Sequence, residues 1–468
     1  MASSRSSTPA DTAGSPVARA VAAWAEGVPT GARVAVALSG GRDSMVLLDA
    51  AVAALRDRVD IHAFHVHHGL QREADRWVAF CAEACSRRGV RYDWRAVTIG
   101  RRARASLEAG ARDARYAALR ALALGHGVGV VALAHHQDDQ AETLLLQLGR
   151  GAGPRGLAAM PSERTDGQGI AWARPLLGVP RAAIDAYAAA RAIAWIDDPS
   201  NRDPRHRRNA LRLTVAPALA AVFPGYPDTL ARAAHHQSDV VELSDALAAI
   251  DAAAAGYDAT DASLDCAVLA ALAPARSRNL IRWWLCRAGL PPPSSARLDA
   301  IGSQLASPRA DARIAIAHAG AVIGRHRGRA CVHDPRPPEY RLDWRGESTL
   351  RLPHGELAFE PGNGAGIDRS RAAPGLTVRP RHGGEKLRLQ PGGPLRSLKT
   401  LLQQRGVPDW ERAALPLIVD GETLVAVPGI GIDVGWRAPA GAPGLVPVWR
   451  RRNENTGGTG APGVADRL

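Results

Sequence analysis

The sequence predicts an α/β chain in which a doubly wound parallel sheet is followed by a mostly helical middle domain and a small α+β C-terminal domain. Three observations carry this reading. Residues 34–38 (VAVAL) and 128–134 are near-continuous apolar runs, the pattern of strands covered on both faces. Up to about residue 220 such runs alternate with helix-period segments, which is the signature of parallel crossover units. Beyond that point an alanine-rich stretch gives way to short strand-like runs separated by Pro/Gly-rich connectors.

In chain order, residues 18–26 read as a short helix and 34–38 as the first strand. The SGGRDS turn follows, and 44–55 continues in helical period. Strands are expected at 60–67, 91–97 and 128–134, with helices at about 72–88 and 106–124 and another opening at 140–148. There Leu144, Leu145 and Leu148 are expected to face the core. Residues 221–310 read as helical, 313–323 and 329–333 as strands. Strands near 376–379 and 423–427 and a helix near 398–405 belong to a compact module. The domain reading is therefore a disordered tail over 1–17, a catalytic domain over 18–220, a middle domain over 221–345, a linker over 346–374, a C-terminal domain over 375–450 and a disordered tail over 451–468.

Composition narrows the class. The chain has 468 residues, 46% hydrophobic and 22% charged, so it is long enough for about three domains and too apolar for wholesale disorder. Neither an apolar run long enough to span a bilayer nor a secretory leader is visible. Five cysteines are too few for a disulfide framework, and a reduced cytoplasmic compartment is expected. The net charge is +13, and all but two of the 59 basic residues are arginine, the exceptions being Lys386 and Lys399. Arginine bias explains the missing lysines but not the excess over acids, which suits a polyanionic partner.

The chemistry is concentrated at SGGRDS. Ser39, Gly40, Gly41, Arg42, Asp43 and Ser44 lie between a buried strand and a helix start. Glycines let the backbone approach a ligand, and the amides of a helix N-terminus favour an anion. A carboxylate beside a phosphate site suggests Mg2+. A bare S-G-G is more often an N-cap turn. The complete motif at a strand end points to a phosphate loop. A Walker loop is excluded, because neither lysine follows a glycine. Gly151-Ala-Gly153-Pro-Arg-Gly156 matches G-x-G-x-x-G but follows a helix, so the dinucleotide reading fails its context.

A second block, His135-His136-Gln137-Asp138-Asp139-Gln140-Ala141-Glu142, falls at the end of the fourth strand, on the same sheet edge. Asp139 and Glu142 share one helical face. As a bland alternative, these acids merely complement the helix dipole. A third block runs from Asp197-Asp198-Pro199-Ser200-Asn201 into a basic helix with Arg208 and Arg212 four apart, which by itself could be a solvated face. His62, His65, His67 and His68 alternate along a strand, so one tight metal site is awkward.

SGGRDS resembles the loop of the N-type ATP pyrophosphatases (the PP-loop, adenine nucleotide alpha hydrolase-like fold). With the HHQDDQAET block, the 173–219 run, Ser106-Leu107-Glu108…Arg112-Asp113-Ala114-Arg115-Tyr116 and the 376–433 segment, the chain resembles the tRNA(Ile)-lysidine synthase family. The stretch at 277–301 is similar to its middle domain. The resemblance implies ATP and Mg2+ as cofactors, and L-lysine and a minor tRNA(Ile) with a CAU anticodon as substrates. It also implies a possible homodimer. The reaction it implies adenylates the C2 oxygen of the wobble cytidine; the lysine amine then displaces AMP.

On this resemblance Ser39 to Ser44 form the ATP loop, and Asp43 and Asp139 are expected to orient Mg2+ or the phosphates. Asp139 and Glu142 are candidates to hold or deprotonate lysine. His135 and His136 are expected to contact tRNA or the adenylate. Arg112, Arg208 and Arg212 are expected to clamp phosphate or carboxylate. Arg379, Arg381, Lys399 and Arg412 are expected to touch the tRNA body. Arg278, Arg282, Trp283 and Trp284 could read splayed bases, although core packing is the better reading for at least one tryptophan. A tRNA thiolase of the same loop group would need C-x-x-C pairs, and only Cys81-x-x-x-Cys85 is present. A small-molecule synthetase and a non-catalytic RNA-binding protein are the other rivals.

Overall fold

The computed structural model describes residues 14–67, 74–97, 104–198, 203–258, 262–307, 314–372 and 375–451. His68, Pro199–Asn201, most of the expected N-terminal tail and residues 452–468 lie outside them, as does the side chain of Glu108. The chain forms two compact units, divided between Leu243 and Ser244.

In the first unit, α1 (Pro16–Glu26) starts two residues before the expected position, because the Ser15 hydroxyl caps it and Pro16 fits its first turn. Six strands follow: β1 (Arg33–Ala37), β2 (Asp60–His67), β3 (Arg91–Ala96), β4 (Val130–Ala132), β5 (Glu163–Thr165) and β6 (Ala171–Ala173). They lie in the order β3-β2-β1-β4-β6-β5, all parallel except the β5–β6 hairpin. Between them run α2 (Arg42–Leu55), α3 (Ala74–Arg88), α4 (Arg104–His126), α5 (Gln137–Leu148) and α6 (Pro154–Leu157).

Side-chain alternation along β1 separates two cores. Val34 and Val36 pack with α1, α2 and α7 (Arg181–Ala190), whereas Ala35 joins Phe64, Leu119, Val131 and Trp172 on the α4 face. The strand order reverses between β1 and β4, so the loops leaving these two strands open a crevice at their C-terminal ends. Leu144 is buried as expected and Leu145 is half-buried, but Leu148, in the last turn of α5, is 58% exposed. The unit closes with α8 (Arg207–Ala210), a π-helical turn at Leu211–Val215, α9 (Ala216–Val222) and the start of α10 (Tyr226–Ala254).

The second unit begins with helices, as predicted. They are the rest of α10, α11 (Cys266–Ala271), α12 (Pro274–Arg287) and α13 (Ser295–Leu305). They pack beside a four-stranded antiparallel sheet of β7 (Leu264–Asp265), β8 (Ala315–His318), β9 (Ala321–His326) and β10 (Arg329–His333). Trp284 is fully buried in that core and its indole N–H donates to the Ala262 carbonyl at 2.6 Å, so it is a packing residue. Trp283 is half-buried against Tyr257 and Arg287.

The expected linker over 346–374 is instead part of a sheet. After β11 (Leu342–Asp343), it contains β12 (Thr349–Leu352), β13 (Gly355–Asn363) and β14 (Ile367–Asp368). Its glycines read as connector signals, but Gly366 has φ +92° and a Cβ there would lie 2.4 Å from the Leu445 carbonyl carbon. Close strand approach, not looseness, demands glycine there. The module continues through β15 (Leu376–Arg379), β16 (Lys386–Leu387), β17 (Arg396–Ser397), α14 (Leu398–Gln404), α15 (Asp409–Ala414), β18 (Leu417–Asp420), β19 (Thr423–Val427) and β20 (Gly431–Ile432). It ends in β21 (Pro443–Arg451), which pairs with the whole of β13.

Candidate active site

The loop after β1 is shaped by its own side chains. Ser44 Oγ accepts from the Ser39 amide at 3.2 Å and donates to the Gly41 carbonyl at 2.9 Å. Ser39 Oγ accepts from the Gly41 amide at 3.3 Å. Gly40 takes φ +84°, which an L side chain rarely adopts. Gly41 occupies the N-cap of α2 without any side-chain cap, so the first amides of the helix are left for a ligand. Arg42 donates to Asp43 Oδ1 at 2.8 and 3.0 Å and also pairs with Asp185.

Across the crevice, His136 is 2% exposed and is encircled by carboxylates. Its Nε2 lies 3.7 Å from Asp43 and 3.6 Å from Asp139; its Nδ1 lies 3.6 Å from Asp138. Burial alone would lower its pKa, but the three carboxylates outweigh burial and raise it to about 9. Burial would in turn raise the Asp43 carboxyl, yet His136 and Arg42 hold it at about 2. At neutral pH the pair is therefore imidazolium and carboxylate. Asp139 Oδ2 also accepts the His136 backbone N–H at 3.0 Å, which fixes the entry to α5.

The acids predicted to meet lysine are already paired. Glu142 receives Arg208 Nε at 2.7 Å, Arg212 Nε at 2.7 Å and Arg212 Nη2 at 2.9 Å. Asp139 Oδ1 receives Arg208 Nη2 at 3.0 Å. The four-residue spacing was read as an ordinary α-helix. The chain instead runs through a π turn at Leu211–Val215, a distortion common at functional sites.

His135 has the opposite fate to its neighbour. Burial, with the guanidiniums of Arg115, Arg174, Arg208 and Arg112, pushes its pKa well below the usual value. Its Nδ1 is buried without a hydrogen-bond partner. The residue that sequence reasoning passed over is Arg115. It stands in the same Arg-x-x-Arg-Tyr stretch as Arg112, but it is Arg115 whose charge bears most on His135. Arg112 is exposed and lies over the Tyr116 ring, 5.3 Å from its centroid.

Other candidates separate. Arg379 is buried and bound to Glu385 at 3.2 Å and to the Pro380 carbonyl at 2.9 Å. Glu385 also receives the amides of His382 and Gly383, and Arg381 lies 3.5 Å from it. These two arginines therefore hold a loop in place through Glu385. Arg412 is tied to the Val407 carbonyl and to Asp409. Lys399 is exposed. Along β2, His65 Nδ1 pairs with the Leu38 carbonyl at 2.8 Å and His62 with Asp60 at 3.3 Å, so both are structural. The thiols of Cys81 and Cys85 are buried in the core and pushed up to about 12 by that burial, which leaves them unsuited to thiolate chemistry.

Comparison with known proteins identifies each part of the chain. Residues 15–219 match the PP-loop domain, 264–331 the TilS substrate binding domain and 376–451 the TilS substrate C-terminal domain. The chain is 42% identical over 448 residues to the tRNA(Ile)-lysidine synthase of Ralstonia nicotianae, covering 90% of this chain and 95% of the relative. It is 41% identical over 463 residues to that of Burkholderia pseudomallei, covering 91% and 93%. With that of Aromatoleum aromaticum it shares 41% over 426 residues, covering 90% and 97%.

Proposed function

The chain belongs to the tRNA(Ile)-lysidine synthase family, and from that premise we propose that it joins L-lysine to C2 of the wobble cytidine in the CAU anticodon of a minor tRNA(Ile). The product pairs with A in place of G, so the codon read changes from AUG to AUA. The observation that carries the reading is the buried His136 held between Asp43 of the phosphate loop and Asp138 and Asp139 of α5. It couples the loop that takes phosphate to the acids that open α5.

In the first step the C2 oxygen attacks the α-phosphorus of ATP and diphosphate departs. The uncapped amides at the start of α2 and the hydroxyl of Ser39 receive the departing phosphates, while Ser44, whose hydroxyl is committed to the Gly41 carbonyl, holds the loop in shape. Fixed as a cation, His136 faces the charge that develops there. Asp43 and Asp139 are hard oxygen donors that meet at the Nε2 edge of His136, which suits Mg2+, an ion held by one or two carboxylates plus phosphate oxygens. When bound, that ion neutralises phosphate charge.

In the second step the lysine amine attacks C2 and AMP leaves. Glu142 and Asp139 bind the ammonium by exchanging a guanidinium of Arg208 or Arg212 for it. The ammonium must lose a proton before it attacks. His135, neutral with a vacant ring nitrogen, is the group that takes it. Arg115 and Arg208 face the AMP phosphate. Such chemistry belongs to the cytoplasm, where tRNA is matured, and no helix among the described residues is long and apolar enough to cross a membrane.

The test is direct. Full-length protein with ATP-Mg and labelled L-lysine should label a minor tRNA(Ile) transcript, but not a tRNA(Met) transcript, with AMP and diphosphate released. Diphosphate release without lysine incorporation would refute the lysine step.

A further inference from the structure

Beside the crevice, within the first unit, lies a cavity of about 500 Å3 that the reaction scheme leaves unused. Its wall carries Arg112, Tyr116 and Arg120 from α4, Arg164 from β5 and Arg174 from the residue after β6. Arg120 is neutralised by Asp166 at 2.8 Å. The other three guanidiniums have no acidic partner among the described residues. The one carboxylate in the lining is Asp113, exposed at the rim.

Arg174 is the informative member. It is 5% exposed and donates through Nη1 to the Pro161 carbonyl at 2.9 Å, while its Nε is buried without a partner. The Tyr116 hydroxyl is likewise buried; it faces the Arg174 guanidinium and has no well-formed hydrogen bond of its own. A buried guanidinium with no acidic partner and an unsatisfied Nε, beside a hydroxyl without a well-formed hydrogen bond, is costly to keep unless a ligand completes them. Both are donors, so the ligand is an acceptor and an anion. Guanidinium forks match pairs of oxygens on phosphate. Arg112 and Arg164 are exposed at the mouth, so the cavity admits a group carried on a long polymer as well as a free ion. Arg112 and Arg174 also lie near enough for their charge to bear on His135. Arg174 follows β6, whose Ala173 pairs with Ala132 of β4, so the cavity floor lies beside the strand end that leads into His135.

We propose that this cavity is a phosphate subsite that takes a backbone phosphodiester of the anticodon loop, adjoining the cytidine to be modified. The proposal rests on the tRNA reading above and adds to it a place where the catalytic unit grips the RNA chain. Arg174 and Tyr116 form the floor and Arg112 and Arg164 close over the non-bridging oxygens. Asp113 at the rim disfavours a second phosphate.

The test uses full-length protein and measures tRNA(Ile) affinity against salt for wild type, Arg164→Ala and Arg164→Lys. Arg164 is exposed, so its truncation spares the core. Arg164→Ala should weaken binding about 5-fold to 10-fold at 0.1 M salt and reduce the log–log salt slope by about 0.7, the value for one single-strand phosphate contact. Arg164→Lys should keep most of the slope, and ATP affinity should be unchanged in both. A single methylphosphonate in the anticodon loop should reproduce the loss in wild type and add nothing in Arg164→Ala. Equal affinity and slope in wild type and Arg164→Ala would overturn the subsite. So would a variant that loses ATP or diphosphate affinity while its tRNA slope stays intact, since the cavity would then serve a free phosphate. A wild type that fails to bind tRNA at all would remove the tRNA reading as well; failure of the subsite alone leaves wild-type binding and lysine transfer in place.

Discussion

Raising the pH should loosen the first unit through one residue, His136. Its pKa rises from the usual 6.5 to about 9 in the folded chain, and the imidazole is 2% exposed, so little solvent screening applies. At about 1.4 kcal/mol per pKa unit, the protonated ring contributes about 3 kcal/mol of stability. Because the folded pKa is raised, that contribution is complete below about 6.5 and is lost as pH climbs through about 9. Between pH 7 and 10 about 2–3 kcal/mol should disappear. For a unit of this size that is about 5–10 °C in Tm. Asp43, held at about 2, titrates far below this window, and Cys81 and Cys85, at about 12, titrate above it. The assay is thermal unfolding of full-length wild type and His136→Gln at steps from pH 7 to 10, with the difference between them read against pH. Groups common to both proteins cancel. His136→Gln should be less stable than wild type at pH 7 and approach it by pH 10. Parallel curves would refute the claim that His136 is an imidazolium bound to Asp43, Asp138 and Asp139.

Three further outcomes follow from the site. Asp43→Ala should abolish tRNA-dependent diphosphate release, since it removes the acid shared by the loop and His136; near-normal release would count against the assignment. Gly40→Ala forces a Cβ onto a residue at φ +84° and 3.2 Å from Cys81 Sγ. The conformation alone costs about 1–2 kcal/mol, so ATP affinity by calorimetry should fall about 10-fold, and unchanged affinity would mean that the loop is not preformed. Glu142→Gln removes the charge between Arg208 and Arg212. Breaking a buried pair costs about 3–5 kcal/mol, and partial exposure of both arginines and the remaining Asp139 reduce this to about 2 kcal/mol by urea unfolding. Lysine transfer should fall more than diphosphate release in this variant, and equal losses in both would deny Glu142 a role specific to lysine.

The parallel sheet and its loop were legible because the signals are local. The apolar run at VAVAL marks a strand buried on both faces, and SGGRDS marks the turn from that strand into the uncapped start of α2. The pairing of Asp43 with His136 was not legible, because it depends on β1 and β4 lying side by side, 93 residues or more apart in sequence. Nor was the difference between Arg112 and Arg115. Both are arginines on one helix, and only the packing of α4 against the sheet decides which guanidinium bears most on His135. The strands at 349–363 were hidden for a different reason. Their glycines and Pro361 look like connector residues, and the need for them arises only from the close approach of β21. Nothing local to Arg379 signals that Glu385 would claim it.

The two adjacent histidines show how the site divides its labour. They share one strand end and one solvent, yet opposite neighbours drive them apart: acids around His136, arginines around His135. Groups whose environments separate their pKa values are suited to separate roles. His136 is a permanent charge and cannot serve as a base near neutral pH. His135 is neutral, and the burial and arginines that keep it so also make it a weak base. The remedy lies in the same arginines. Arg112 and Arg174 line the cavity proposed to take an RNA phosphate. An anion bound there offsets their field at His135 and lifts its proton affinity when the substrate is in place.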